Sequence, residues 1–245
     1  MSKRKKHEVS VTWPNGRPDS IILPICIRSP GVQGGKFLKT LEAIKDIPNI
    51  HVVLCDLLDR HNLVGMFEDP RVMSVKLADR WLEEYEPHLK RLIPQHSLTR
   101  WAEIQEHPNF QKRLKAVAEA YQAGGEIKTM IDNMAMYYYV RKKERVEKQG
   151  LLLNRVDELQ RSAAYLQEEM AGDMTYGEMF PNAPRVYWGL YVGDPDIFNR
   201  NLPEIGCSRD FPPTAPLEIS TLPPSVGTHM LDRNNIAAAL HYRAA

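Results

Sequence analysis

The sequence predicts an α/β fold, a mostly parallel sheet flanked by helices, and three neighbouring segments predict it. Ser20–Ile27 (SIILPICI) is a continuous apolar run, as in a strand covered on both faces. Phe37, Leu38, Leu41 and Ile44 follow at helical spacing. His51–Cys55 (HVVLC) is a second, β-branched run. Strand, loop, helix and strand within about 35 residues form the βαβ unit of a parallel sheet.

Later segments extend the pattern. Pro48 closes the first helix. Val75, Ala78, Leu82 and Tyr85 share an apolar helical face that Pro87 is expected to interrupt. Pro108 is placed as the first residue of the next helix, whose stripe is Phe110, Leu114, Val117 and Tyr121 and whose end is Gly124-Gly125. Ile127, Met130, Ile131, Met134 and Tyr138 mark another helix, which ends in a basic run. Val156, Leu159, Ala163, Leu166 and Met170 carry the last long helix, with Gly172 expected as its cap. Arg185–Val192 (RVYWGLYV) reads as a late strand.

The ends look different from the middle. Residues 1–18 are polar and carry Pro14, Gly16 and Pro18, which predicts a loose basic arm. A single domain is expected over 19–202. Beyond it, Pro203, Pro212, Pro213, Pro216, Pro223 and Pro224 predict a mostly irregular tail, 203–245, with one short helix near Asn234–Leu240.

Composition narrows the function classes. Hydrophobic residues make up 43% and charged residues 26%, ordinary for a soluble globular chain. The net charge of +1 supplies no global field for nucleic acid, so any polyanion contact must come from local clusters. Three cysteines, Cys26, Cys55 and Cys207, form neither a disulfide framework nor a metal knuckle, and a reducing, cytoplasmic setting is expected. The basic N-terminus leads into no apolar signal core, and no stretch approaches the roughly 18 apolar residues of a membrane span. His51, His61, His88, His96, His107 and His229 lack metal-ligand spacing, so no metal is expected.

Four groups of residues have chemical potential, each with a plainer alternative. Ser29 follows a buried strand and precedes a helix, in a turn with Pro30 and Gly31. Ligands of open parallel sheets bind beyond the carboxyl ends of strands, so Ser29 is either a turn or cap serine or a nucleophile. Gly34-Gly35 completes neither phosphate-loop pattern. Tyr165 and Glu169 share one helical face beside the Leu166 stripe. They either edge the core or hold a substrate ammonium. Tyr187 is either a packing aromatic or a proton donor. Lys3–Lys6 and the run Arg141, Lys142, Lys143, Arg145 and Lys148 after three tyrosines are either solvated ends or phosphate contacts.

Four stretches together resemble the cyclodipeptide synthase family, over about Ile21 to Gly193: ICIRSPG around Ser29, LCDLLDRHNL at 54–63, LTRWAEIQEHPNFQKRL at 98–114 and YLQEEM at 165–170. The resemblance implies a Rossmann-like domain similar to the catalytic domain of class I aminoacyl-tRNA synthetases. The ATP-binding signatures of those enzymes are missing here, which fits an enzyme that starts from charged tRNA with no cofactor, metal or nucleotide. It implies two aminoacyl-tRNAs per turnover, a cyclic dipeptide (2,5-diketopiperazine) product and a monomer.

Roles follow from the same resemblance. Ser29 would carry the aminoacyl and then the dipeptidyl group. Tyr165 and Glu169 would hold the α-amino group, and Tyr187, with Tyr191 as the alternative, would move a proton during cyclisation. Ile25 and Ile27 would line the first amino-acid pocket, and Ile27 stands where the family often has glycine. Arg141, Lys142, Lys143 and Arg145 are the candidate tRNA contacts. Val32 stands where one subgroup has asparagine, and Trp188 follows Tyr187 where histidine or proline is usual. The rival readings are a non-catalytic aminoacyl-tRNA-binding module and a hydrolase using Ser29, the latter lacking a GxSxG elbow.

Overall fold

The computed structural model describes residues 8–11, 13, 16–148, 150, 152–187, 201–202 and 214–220. In chain order the strands are β1 (Glu8–Val11), β2 (Ser20–Ile25), β3 (Asn49–Leu54), β4 (His96–Arg100), β5 (Arg185–Tyr187) and β6 (Thr214–Ser220). The α-helices are α1 (Gly34–Ile44), α2 (Arg60–Leu63), α3 (Pro70–Leu92), α4 (Trp101–Glu106), α5 (Phe110–Ala123), α6 (Gly125–Glu147) and α7 (Arg155–Met179).

The strands lie in the order β1-β6-β5-β2-β3-β4. β2 pairs in parallel with β3 from Ser20↔Asn49 to Ile25↔Leu54, and β3 pairs in parallel with β4. β5 joins the other side of β2 in parallel at Ile22↔Arg185. The sheet is therefore mostly parallel with helices on its faces, as the βαβ pattern predicts. Only β1 runs antiparallel, against β6.

Residue parity divides the core. Ile21, Leu23, Ile25 and Ile27 point to one face and pack with Phe37, Leu41, Trp81, Tyr85 and Leu89 of α1 and α3. Ile22, Val53 and Cys55 point to the other, against Trp101, Phe110, Ala171 and Tyr176. A third cluster joins α5, α6 and α7 through Val117, Ile131, Met134, Leu166 and Met170. Burial on both faces explains why β2 reads as an unbroken apolar run.

Several expectations are corrected. α3 runs through Pro87 to Leu92. Pro87 and Glu83 are both exposed, so the carbonyl left without a partner faces water and the break is tolerated. Pro108 lies in the turn before α5, which starts at Phe110. Gly172 does not cap α7 but lies inside it: a Cβ there would come 2.1 Å from the Trp101 ring, and only glycine lets the two approach. The basic arm and the proline-rich tail each contribute a strand, registered from Glu8↔Ser220 to Val11↔Leu217. This pairing links segments some two hundred residues apart, which local pattern does not reveal. The helix expected near Asn234–Leu240 and most of the late strand beyond Tyr187 lie outside the described residues. Among the described residues no helix is long and apolar enough to cross a membrane.

Candidate active site

The carboxyl ends of β2, β3 and β4 lead directly to Cys26, Cys55 and Trp101, and these three residues line one cavity of about 400 Å³. Ser29 lines it from the turn after β2, and Tyr165, Glu169 and Asp173 line it from α7. Residues 29 and 165, distant in sequence, thus meet beyond the strand ends, where open parallel sheets bind ligands.

Backbone bonds fix the serine. The Ser29 N–H donates to the Cys26 carbonyl at 2.7 Å, and the Val32 N–H donates to the Ser29 carbonyl at 3.1 Å. The Gly31 N–H reaches the Ser29 Oγ at 3.4 Å. Ser29 is extended, at φ −73 and ψ 129, and caps a short 3₁₀ turn, Pro30–Val32. Ser29 therefore caps this turn and also lines the cavity.

On α7 the spacing i, i+4, i+8 aligns Tyr165, Glu169 and Asp173 along one face. The Tyr165 hydroxyl donates to Glu169 Oε1 at 3.3 Å and contacts Cys26 Sγ at 3.7 Å. Below them, Asp173 accepts hydrogen bonds from the Tyr176 hydroxyl and the Arg185 guanidinium. Burial and the Asp173 carboxylate raise the Glu169 pKa to about 8, against the opposing pull of Arg185 and the Tyr165 bond. Burial likewise raises Asp173, opposed by Arg185 and Tyr176. Two carboxyl groups thus share one buried guanidinium, and a cation entering the cavity, such as an ammonium, would favour the ionised form of Glu169.

A buried polar network holds α7 against the sheet. Glu168 is 3% exposed. It accepts paired bonds from Arg60 at 2.9 and 2.6 Å, and bonds at 2.8 Å from Trp101 Nε1, Gln105 Nε2 and His61 Nε2. Burial works to raise its pKa, but His61, Arg60 and Trp101 outweigh it and hold the carboxyl at about 2. Asp56, after β3, accepts from the Leu57 and Trp101 N–H groups and from Arg100 Nε. The stretches LCDLLDRHNL and LTRWAEIQ thus meet at the carboxylate next to Glu169.

The predicted site residues divide. Ser29, Tyr165 and Glu169 come together. Ile25 and Ile27 do not line this cavity: strand alternation turns them to the opposite face, where Ile25 is core and Ile27 borders a separate cavity with Gln33, Trp81 and Tyr85. Pro24 and Cys26 take their place. Arg141 lies at the rim, over the Tyr137 ring with its hydroxyl 3.0 Å away. Lys142 instead pairs with buried Glu158 at 2.6 Å, and Lys143 with Glu147 at 3.5 Å. The side chains of Arg145 and Tyr187, and the whole of Tyr191, lie outside the described part.

Sequence reasoning missed Cys26, Cys55, Lys36, Asp173 and Arg185, all of which line the cavity. Asp173 was within reach, since it continues the four-residue spacing of Tyr165 and Glu169. Arg185 was not, because only the tertiary fold brings β5 under α7. Among the described residues no group of three or more His, Cys, Asp or Glu side chains is arranged to hold a metal ion.

No protein-family model matches the chain, and no curated protein matches its sequence. Solved structures do match. A CDPS from Fluoribacter dumoffii has a TM-score of 0.70 at 16% identity, over 88% of this chain and 99% of that one. A cyclodipeptide synthase from Bacillus thermoamylovorans has 0.59 at 9%, over 83% and 89%. A CDPS from Staphylococcus haemolyticus has 0.58 at 9%, over 82% and 90%. At these identities the likeness establishes a shared fold.

Proposed function

We propose that this chain is a cyclodipeptide synthase that joins the aminoacyl groups of two aminoacyl-tRNAs through a covalent intermediate on Ser29. One observation carries the reading: Ser29 and the Tyr165–Glu169 pair line a single cavity beyond the carboxyl ends of the parallel strands. The shared fold with solved cyclodipeptide synthases supports it.

Ser29 Oγ attacks the ester carbonyl of the first aminoacyl-tRNA, and the terminal ribose hydroxyl leaves with the proton. The Gly31 N–H, 3.4 Å from Oγ, is a backbone donor beside the attacking oxygen. The α-ammonium of the aminoacyl-enzyme lies against Tyr165 and Glu169, and Glu169 takes one of its protons. The free amine attacks the second aminoacyl-tRNA, giving the dipeptidyl-enzyme and a second free tRNA. The new N-terminal amine then attacks the Ser29 ester, closing the six-membered ring and returning the proton to Ser29, with Tyr187 as the proton carrier. Each acyl group arrives as an ester, so the site supplies position and charge rather than activation.

The test is production of the compound. Bacterial cells expressing the chain should release a diketopiperazine detectable by mass spectrometry, and cells expressing Ser29→Ala should not. An equal yield from the variant overturns the covalent role of Ser29. Soluble chain that yields neither product nor a serine adduct with charged tRNA overturns the reaction.

A further inference from the structure

The same cavity holds two thiols that the proposed reaction does not use. Cys26 and Cys55 directly follow β2 and β3, and the Cys55 N–H donates to the Ile25 carbonyl at 3.0 Å, so the ladder extends to them. They occupy the register position after Ile25↔Leu54. Neighbouring strands run roughly 4.8 Å apart, within the Cα separation a disulfide bridges. Both side chains face the cavity from neighbouring strands, Cys26 Sγ 3.7 Å from the Tyr165 hydroxyl and Cys55 Sγ 3.8 Å from the Val53 carbonyl. Cys26 is half-buried and meets the cavity solvent, whereas Cys55 is 4% exposed.

We propose that Cys26 and Cys55 form a reversible oxidation site in the cavity wall, in which a hydroperoxide oxidises Cys26 and Cys55 closes a cross-strand disulfide. In the first step the Cys26 sulfur attacks the terminal peroxide oxygen, the O–O bond breaks, and the remaining oxygen leaves with the thiol proton as an alcohol or water, giving a sulfenic acid. In the second the Cys55 sulfur attacks the sulfenic sulfur, water leaves, and the S–S bond forms with net loss of two hydrogens. Cys26, the more exposed of the two, is the thiol that a peroxide in the cavity meets first, and Cys55 beside it is the thiol in register to close the bond. A dithiol reductant reverses the bond by exchange.

The disulfide acts on the proposed site through Tyr165. In the reduced chain Tyr165 contacts Cys26 Sγ and donates to Glu169, so the thiol, the phenol and the carboxyl form a line. A disulfide sulfur has no proton to donate and is drawn toward Cys55, which leaves the phenol without that partner. The bond itself is independent of the proposed reaction, and only its effect on turnover rests on that reading.

The test treats the full reduced chain with hydrogen peroxide, alkylates the remaining thiols and maps peptides by mass. The expected product lacks two hydrogens, links the peptides of Cys26 and Cys55, and leaves Cys207 alkylated. Diketopiperazine formation should fall on the order of tenfold, as for one lost positioning hydrogen bond, and return with dithiothreitol. Cys55→Ala should form no such link. Linkage through Cys207, or oxidation of Cys26 to the sulfinic acid with Cys55 still alkylated, overturns the site. A fully linked chain with unchanged turnover overturns its action on Tyr165. A chain that links Cys26 to Cys55 but makes no cyclic dipeptide when reduced sustains the oxidation site and counts against the proposed reaction instead.

Discussion

The indole Nε1 of Trp101 donates to the Glu168 carboxylate at 2.8 Å, and this bond ties the end of β4 to the middle of α7. Glu168 precedes Glu169, so the bond also fixes the height and rotation of the carboxyl proposed to take the substrate proton. Arg60, His61 and Gln105 converge on the same carboxylate and make it the hub of three sequence stretches.

Replacing Glu168 with Gln should therefore destabilise the fold, by about 3 kcal/mol, because the Arg60 charge loses its partner in a largely buried site. The pH dependence has a definite sign. The folded pKa of about 2 lies below the ordinary 4.5, so this stabilisation is complete above pH 4.5 and lost as pH falls toward 2. Denaturant melts across that window should show the loss in the parent chain and a flatter profile in Glu168→Gln.

Gly172→Ala should cost roughly 1–3 kcal/mol by overpacking, since its Cβ would meet Trp101 at 2.1 and 2.5 Å. The ring cannot swing away without breaking its bond to Glu168. A thermal melt beside Ala164→Gly, at a partly exposed position of the same helix where lost helix propensity dominates, separates overpacking from propensity: the alanine at 172 should be the more damaging change despite its better helix propensity.

Asp173 tunes the proposed base. Glu169 must be ionised to accept a proton, so turnover should rise with pH as it titrates near 8. Asp173→Asn removes a raising influence and frees Arg185 to act on Glu169, and both move the rise to lower pH. The pH profile of single-turnover transfer to the second aminoacyl-tRNA checks this; an unmoved profile assigns the rise to another group.

Of the candidate tRNA contacts whose side chains are described, Arg141 lines this cavity, while Lys142 and Lys143 pair with carboxylates. Arg141→Ala should weaken tRNA binding and lower the salt slope by about 1, and Lys143→Ala should do less. Equal effects from both would place the tRNA on the outer face of α6 rather than at the rim.

Much of this was legible in the sequence where local pattern decides the outcome. The apolar runs of β2 and β3, the α1 spacing between them and the Tyr165–Glu169 face depend on near neighbours, and each was read correctly. The misreadings share a different cause. A strand buried on both sides shows no alternation that marks its ligand side, so the sequence alone does not tell Ile25 and Ile27 from Pro24 and Cys26 as residues lining this cavity. Pro87 and Gly172 look like helix ends locally, yet exposure in one case and the Trp101 ring in the other keep the helices running. Asp173 with Arg185, and the β1–β6 pair, depend on contacts that exist only once the chain has folded. Leu217 and Ile219 alternate within β6, the one local sign of a strand in the proline-rich tail.

The most direct test of the central claim is the intact mass of the chain after brief mixing with a pool of charged tRNAs and acid quenching. The account predicts an added aminoacyl mass on the parent chain, mapped by peptide sequencing to Ser29 and missing from Ser29→Ala. An adduct on another residue, or diketopiperazine formed while the chain never gains mass, would contradict it.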